Sequence, residues 1–310
     1  MNIDFNTYQK ELQSPYIYNP IDISIGFYAL CSYQPHAWVY VFQSIRKHYP
    51  EAPIVLINDG VEQYDYSNMA AQYNCIFIKK TKNICLLWND ISDAYEFLDR
   101  TKEACDCLSE LGMQWIIHLH PDVICQNKIS YFPPSYLCGV SAGSITGISN
   151  NNFNNSSEWK KIEKYIREFQ PEIEINGWGW CGGSIMNINK FKEVYKYIRD
   201  VNGYADVNDD VDVIKDSNIG DGKKKFTLEK LKEIYPESVR YEDTMMPIIF
   251  TLFGYPYRIW KDNPEYHRDK NNINGAFLHG YKEHYDFKKS QLSLDDFNKL
   301  RIMQANQIVK

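Results

Sequence analysis

Short apolar runs alternate with segments of helical spacing through the first 125 residues. The run from Ile21 to Tyr33 predicts a first strand, and Trp38, Val41, Phe42 and Ile45 fall on one face of a helix that ends before Pro50. Ala52 to Asn58 is continuously apolar up to Asn58-Asp59-Gly60, the pattern of a buried parallel strand followed by a turn. Cys75 to Ile78 predicts a further short strand. From Ser92 to Leu111, Ala94, Phe97, Leu98, Ala104 and Leu108 line one helical face, with Ser92 placed to cap it. Strands and helices that alternate in this way specify an α/β fold with a mostly parallel sheet.

That helix delivers the chain into Trp115-Ile-Ile-His-Leu-His-Pro-Asp-Val-Ile-Cys125. Successive side chains of a strand point to opposite faces, so His118, His120 and Asp122 project together while Ile117 and Leu119 project the other way. Three possible metal ligands thus share a face where the strand should end, and strand ends are where open α/β sheets bind ligands. The competing reading makes Asp122 a turn residue and the two histidines structural.

The second half is less regular. Residues 141–155 are rich in Gly, Ser and Asn and predict a loop, followed by a helix from Ser157 to Phe169. Then come Asn176-Gly-Trp-Gly-Trp-Cys-Gly-Gly-Ser184, a strand through Ile188 and a helix from Phe191 to Val201. Tyr204 to Phe226 is acidic. Its start, Asp206-x-Asn208-x-Asp210, begins like a calcium loop but lacks the glycine and closing glutamate, which leaves a surface excursion. Glu242 to Phe253 predicts a helix, and Leu294 to Val309 an amphipathic one. The expected organisation is an N-terminal extension over 1–19, one domain over 20–290 with halves 20–140 and 141–290, and a C-terminal helical segment over 291–310.

Composition narrows the functional classes. With 310 residues, 44% hydrophobic and 24% charged, the chain can bury a sizeable core. A net charge of −6 gives no general affinity for nucleic acid or acidic membranes, so an anionic ligand needs local charges or a metal. No stretch approaches the length of a membrane span and the first residues lack a signal-peptide pattern, which sets a cytoplasmic expectation. The eight cysteines form no CxxC pair and read as reduced thiols. No P-loop pattern is present, so an ATP site of that kind is not expected.

Four separated pieces carry candidate chemistry: His120-Pro-Asp122, Trp178-Gly-Trp180-Cys-Gly-Gly183, Glu242-Asp243 and Leu278-His279-Gly280-Tyr-Lys282. In this order and spacing they resemble the nucleotide-sugar-dependent glycosyltransferases of the GT-A fold. The resemblance covers about residues 20 to 285. It implies a Rossmann-like nucleotide-binding sheet with an abutting acceptor-binding half. It also implies a donor linked to UDP or GDP, an acceptor that is a glycan, a protein or a small molecule, and a divalent cation.

The resemblance assigns the cation to Asp122, in the place of the family's Asp-x-Asp signature, and to His279. His120 stands where the first acid is expected. Mn²⁺ accepts imidazole as readily as carboxylate, whereas Mg²⁺ is favoured less by such a set. Lys282 would lie near the phosphates, Asp59 near the base, and Arg100 near ribose or phosphate, with Tyr33 at the sheet edge where the nucleotide lies. The block holding Trp178, Trp180, Gly182 and Gly183 resembles the family's acceptor segment with Cys181 inserted. Aromatic faces suit sugar rings, although a pair of core tryptophans is the rival explanation. Asp243 matches the catalytic base of inverting members. A retaining transferase of the same fold, a non-catalytic glycan-binding scaffold, and a metal-dependent hydrolase using His118 and His120 are the alternatives. The last needs an eight-stranded barrel.

Overall fold

The computed structural model describes residues 21–32, 34–60, 65–84, 88, 90–140, 157–175, 179–201, 225–239, 242–263 and 275–279. The expectations for the N-terminal extension, the loop at 141–155, most of the acidic excursion and the C-terminal helix lie outside the described residues. So do Tyr33, Trp178 and Lys282.

In chain order the elements begin with β1 (Ile25–Cys31), α1 (Pro35–His48), β2 (Ile54–Asp59), α2 (Ser67–Gln72), β3 (Ile76–Lys80), α3 (Ile91–Glu110) and β4 (Trp115–Leu119). Then follow β5 (Ile124–Cys125), β6 (Leu137–Gly139), α4 (Ser157–Phe169), β7 (Ile185–Asn187), α5 (Ile188–Val201) and α6 (Leu228–Ile234). A 3₁₀ turn over Pro236–Val239 leads to α7 (Glu242–Phe253), β8 (Arg258–Ile259) and β9 (Phe277–Leu278).

Seven strands form one sheet in the order β3-β2-β1-β4-β7-β6-β8, and β5 pairs with β9 in a separate ribbon. β1 runs parallel to both β2 and β4, and β2 to β3, whereas β7 is antiparallel to β4 and to β6. The expected α/β class with a mostly parallel sheet is what the chain adopts. Among the described residues the sheet is open and forms no eight-stranded barrel of the kind the metal-dependent hydrolase reading needs.

β1 explains why the sheet is covered on both faces. All seven of its residues are buried, and they alternate. Phe27, Ala29 and Cys31 pack with Trp38, Val41, Phe42 and Ile45 of α1. Tyr28 and Leu30 pack with Phe97, Leu98 and Leu108 of α3. A strand buried on both faces reads as an unbroken apolar run, which is the pattern found at Ile54–Asp59 too.

Element boundaries follow local chemistry. α3 begins one residue before Ser92, because Asp90 is its cap: the Asp90 carboxylate accepts from the Ser92 backbone N–H at 2.7 Å. α5 begins at Ile188, where the preceding Asn187 side chain accepts from the Lys190 N–H at 3.2 Å. The short helices α2 and α6, which the periodicity did not single out, span six and seven residues.

Strand order creates one switch point. From β1 the chain moves outward through β2 and β3, then α3 returns it to the opposite side of β1 as β4. Where adjacent parallel strands lead away in opposite directions, their C-terminal ends leave a crevice that accepts ligands. His120, Pro121 and Asp122 follow the C-terminal end of β4 and therefore border it.

Candidate metal centre and active site

β4 ends at Leu119, and a turn closed by the Val123 N–H donating to the His120 carbonyl at 3.2 Å carries Asp122 to the rim. The chain then enters β5, whose partner β9 arrives from some 150 residues downstream. Their antiparallel register sets Ile124 against Leu278 and Cys125 against Phe277, so His279 emerges beside the Asp122 turn. His279 Nε2 lies 3.7 Å from Asp122 Oδ1, and both side chains are mostly buried. Ligand atoms of His120, Asp122 and His279 all fall within 4.8 Å of one another.

A second set shares the same histidine. His120, Glu242 and Asp243 also bring their ligand atoms within 4.8 Å of one another, with His120 Nε2 3.5 Å from Glu242 Oε1. Glu242 and Asp243 open α7, where the unsatisfied N–H groups of the helix favour negative charge. Burial is the largest influence on His120 and pulls its pKa down, but Glu242, Asp243 and Asp122 outweigh it and hold the imidazole above its ordinary value.

His118 does not join either set. Its ring stacks on Trp180 at 4.4 Å with an 8° interplanar angle and on Tyr28 at 5.2 Å, and it is 2% exposed. The ring of His120 meets its edge at 4.6 Å, so the two histidines do project together as the strand pattern requires. Burial, helped by the neighbouring His120 and His279, pushes the His118 pKa well below its ordinary value, and the imidazole is neutral at pH 7. Its Nδ1 has no hydrogen-bond partner among the described residues.

The glycine block corrects an expectation. Trp180 is 1% exposed, with one face on His118 and its edge against Phe97, so its indole is part of the core and offers no face to a sugar. The glycines approach the site itself. A Cβ on Gly182 would lie 2.6 Å from the His120 Cβ, and one on Gly183 would lie 2.9 Å from the Phe277 Cβ and 2.7 Å from Asn263 Oδ1. Gly183 also has φ +85°, a left-handed conformation that favours glycine. The turn is tied to β4 by Gly183 N–H donating to the His118 carbonyl at 2.7 Å and by His118 N–H donating to the Ser184 carbonyl at 3.0 Å. It is tied to α7 by the Trp180 N–H donating to the Asp243 carbonyl at 3.3 Å. Residues expected to touch an acceptor thus hold the histidine, the aspartate and β9 in one arrangement.

Asp59 and Arg100 also differ from expectation. Both are fully buried and they pair with each other, which takes them out of reach of a nucleotide base or phosphate. Asp59 Oδ2 accepts from the Ile84 N–H at 3.0 Å, and Arg100 Nη2 donates to the Lys82 carbonyl at 2.7 Å, so the pair fastens the segment after β3. Burial lowers the Arg100 pKa to about 10.

Two residues have parts at the site that the sequence pattern did not give them. Glu242 is one: the pattern marks it only together with Asp243, with no role of its own. Asp262 is the other. It is completely buried, and its carboxylate accepts from the N–H groups of Ser130 and Tyr131, each at 2.7 Å, and of Ala276 at 3.2 Å. Its own carbonyl accepts from the Phe277 N–H at 2.7 Å, so it fixes the strand that delivers His279. No local signal marks such a residue, because its partners come from two distant parts of the chain, 130–131 and 276–277.

The donor set fits a divalent cation. Two imidazoles and a carboxylate suit a borderline ion such as Mn²⁺, whose ligand bonds of about 2.0 to 2.3 Å place donors about 3 to 4.5 Å apart around it. The 3.7 Å between His279 and Asp122 lies in that span. No helix among the described residues is long and apolar enough to cross a membrane.

No protein-family model matches the chain, and no curated protein sequence matches it. Among solved structures it is similar to the galactosyltransferase LgtC in complex with donor and acceptor sugar analogues. The identity is 14%, with 90% of this chain and 95% of that chain covered and a TM-score of 0.47. The chemistry of the present chain is read from its own side chains.

Proposed function

We propose that the chain is a glycosyltransferase that moves a sugar from a UDP- or GDP-linked donor to an acceptor hydroxyl. The observation that carries this reading is the meeting of His120, Asp122 and His279 at the switch point of the sheet, with Glu242 and Asp243 on the other side of His120. The chain has no P-loop to hold a pyrophosphate. A cation held by Asp122, His279 and His120 would supply the positive charge that a departing diphosphate requires.

Asp243 is the group placed to act as base. Its carboxylate belongs to the set around His120, close to where the donor's anomeric carbon must lie if its diphosphate sits at the cation residues. The carboxylate would take the proton of the acceptor hydroxyl as that oxygen bonds to C1 and the C1–O bond to the diphosphate breaks. Attack from the side opposite the leaving group inverts the anomeric centre. A positioned base contributes about 10² to 10⁴ in rate to such a step. Trp178 and Lys282 keep the acceptor and phosphate roles that the sequence resemblance gives them.

The test is a transfer and hydrolysis screen over UDP- and GDP-sugars with and without Mn²⁺, paired with thermal unfolding. A nucleoside diphosphate plus Mn²⁺ at about 100 times its Kd should add about 2.7 kcal/mol of stability. Turnover of at least one donor that Asp122→Ala abolishes supports the reading. Absence of turnover and of nucleotide-dependent stabilisation across the screen would replace it with the scaffold reading.

A further inference from the structure

The imidazole of His120 can present either ring nitrogen to a cation, and the tautomer it adopts decides which. A metal-bound histidine commonly donates its other ring N–H to a carboxylate or carbonyl, which fixes both the tautomer and the ring orientation. Here Glu242 Oε1 lies 3.5 Å from Nε2, and both side chains are mostly buried. The backbone on both sides is fixed independently. Gly182 leaves no room for the His120 Cβ to move toward the glycine turn, and the Trp180 N–H holds the first turn of α7 through the Asp243 carbonyl. The His118 ring packs against that of His120, with ring centroids 4.6 Å apart and planes 80° apart.

We propose that Glu242 is a positioning residue: it accepts the Nε2–H of His120 and so commits Nδ1 to the cation shared with Asp122 and His279. This rests on the cation reading of the site, and it adds a residue that the sequence pattern left as an ordinary helix-start acid. Replacement of a carboxylate by imidazole in the strand-end signature removes one negative charge from the donor set. Glu242 returns that charge one bond network further out, where it raises the basicity of the ligand nitrogen without occupying a coordination position.

The experiment measures Mn²⁺ affinity and the imidazole ¹⁵N signals of the metal-free full chain for wild type, Glu242→Ala, Glu242→Gln and Asp122→Ala. Glu242→Ala should weaken Mn²⁺ binding about 10- to 100-fold. In metal-free protein at a pH high enough to leave the imidazole neutral, it should also shift the His120 ¹⁵N pattern away from the Nε2–H tautomer. Glu242→Gln keeps an acceptor oxygen and should restore the tautomer and part of the affinity. Wild-type affinity in Glu242→Ala, or an unchanged His120 tautomer, would overturn the assignment while leaving the cation site standing. Failure of the wild type to bind Mn²⁺, with Asp122→Ala indistinguishable from it, would remove the cation reading and this assignment with it.

Discussion

Gly182→Ala tests whether the glycine turn sets the position of His120. The added Cβ would stand 2.6 Å from the His120 Cβ, 3.1 Å from its Cγ and 3.2 Å from its backbone N–H nitrogen, against an ordinary contact of 3.4 to 4 Å. Relief therefore requires a displacement of at least 0.8 Å, the difference between 3.4 and 2.6 Å. The atoms met first are backbone-proximal, so rotation of the imidazole cannot supply it. Cation ligands tolerate errors of about 0.2 Å. The displacement should thus cost at least about tenfold in Mn²⁺ affinity, roughly 1.4 kcal/mol, beside an overpacking cost of about 1 to 3 kcal/mol in stability. Free Mn²⁺ is followed by electron paramagnetic resonance during titration, and stability by urea unfolding. Gly112→Ala is the control, because nothing lies within 4 Å of its Cβ while its φ of +78° still disfavours alanine. It should lose about 1 kcal/mol of stability and no affinity. Wild-type Mn²⁺ affinity and stability in Gly182→Ala would refute the reasoning.

Two further outcomes follow from buried charge. His118 is held neutral in the fold by burial, so below about pH 6.5 the unfolded chain binds a proton that the folded chain does not. Stability should fall as pH drops through that region, by up to about 1.4 kcal/mol per unit for this residue, and His118→Phe should remove that share of the difference between pH 7 and pH 5 in urea midpoints. An equal pH 7 to pH 5 difference in the two proteins would contradict it. Arg100→Met alone should cost about 3 to 5 kcal/mol by stranding the buried Asp59 carboxylate, and Asp59→Leu added to it should recover most of the loss; denaturant unfolding of the single and double variants decides, and strictly additive losses would count against the pairing.

Much of the sheet was legible because burial leaves a mark on sequence. Ile54–Asp59 and Ile25–Cys31 are buried on both faces and read as apolar runs, and α3 shows its stripe from Ala94 to Leu108. Of the antiparallel half only β7 was legible, as the strand through Ile188. β6, β8 and β9 are two or three residues long, too short for any period to register. At the site, alternation along β4 placed His118 and His120 side by side, yet it carried no information on depth. His118 and Trp180 ended as a stacked pair inside the core because each supplies the other with a flat partner. Asp59 and Arg100 lie 41 positions apart, and nothing in either neighbourhood announces that they neutralise one another. Glu242 was hidden for the opposite reason: acids at helix starts are common, so its relation to His120 has no sequence signature.

The ribbon of β5 and β9 has a thermodynamic corollary. Residues 275–279 are fastened by two paired positions and by the contacts of Asp262, and their last member is His279. An ion that draws on His279 is therefore in linkage with the docking of that segment. By reciprocity, whatever factor docking adds to ion affinity, the ion adds to docking. Ion concentration would then control how firmly residues 275–279 dock against β5.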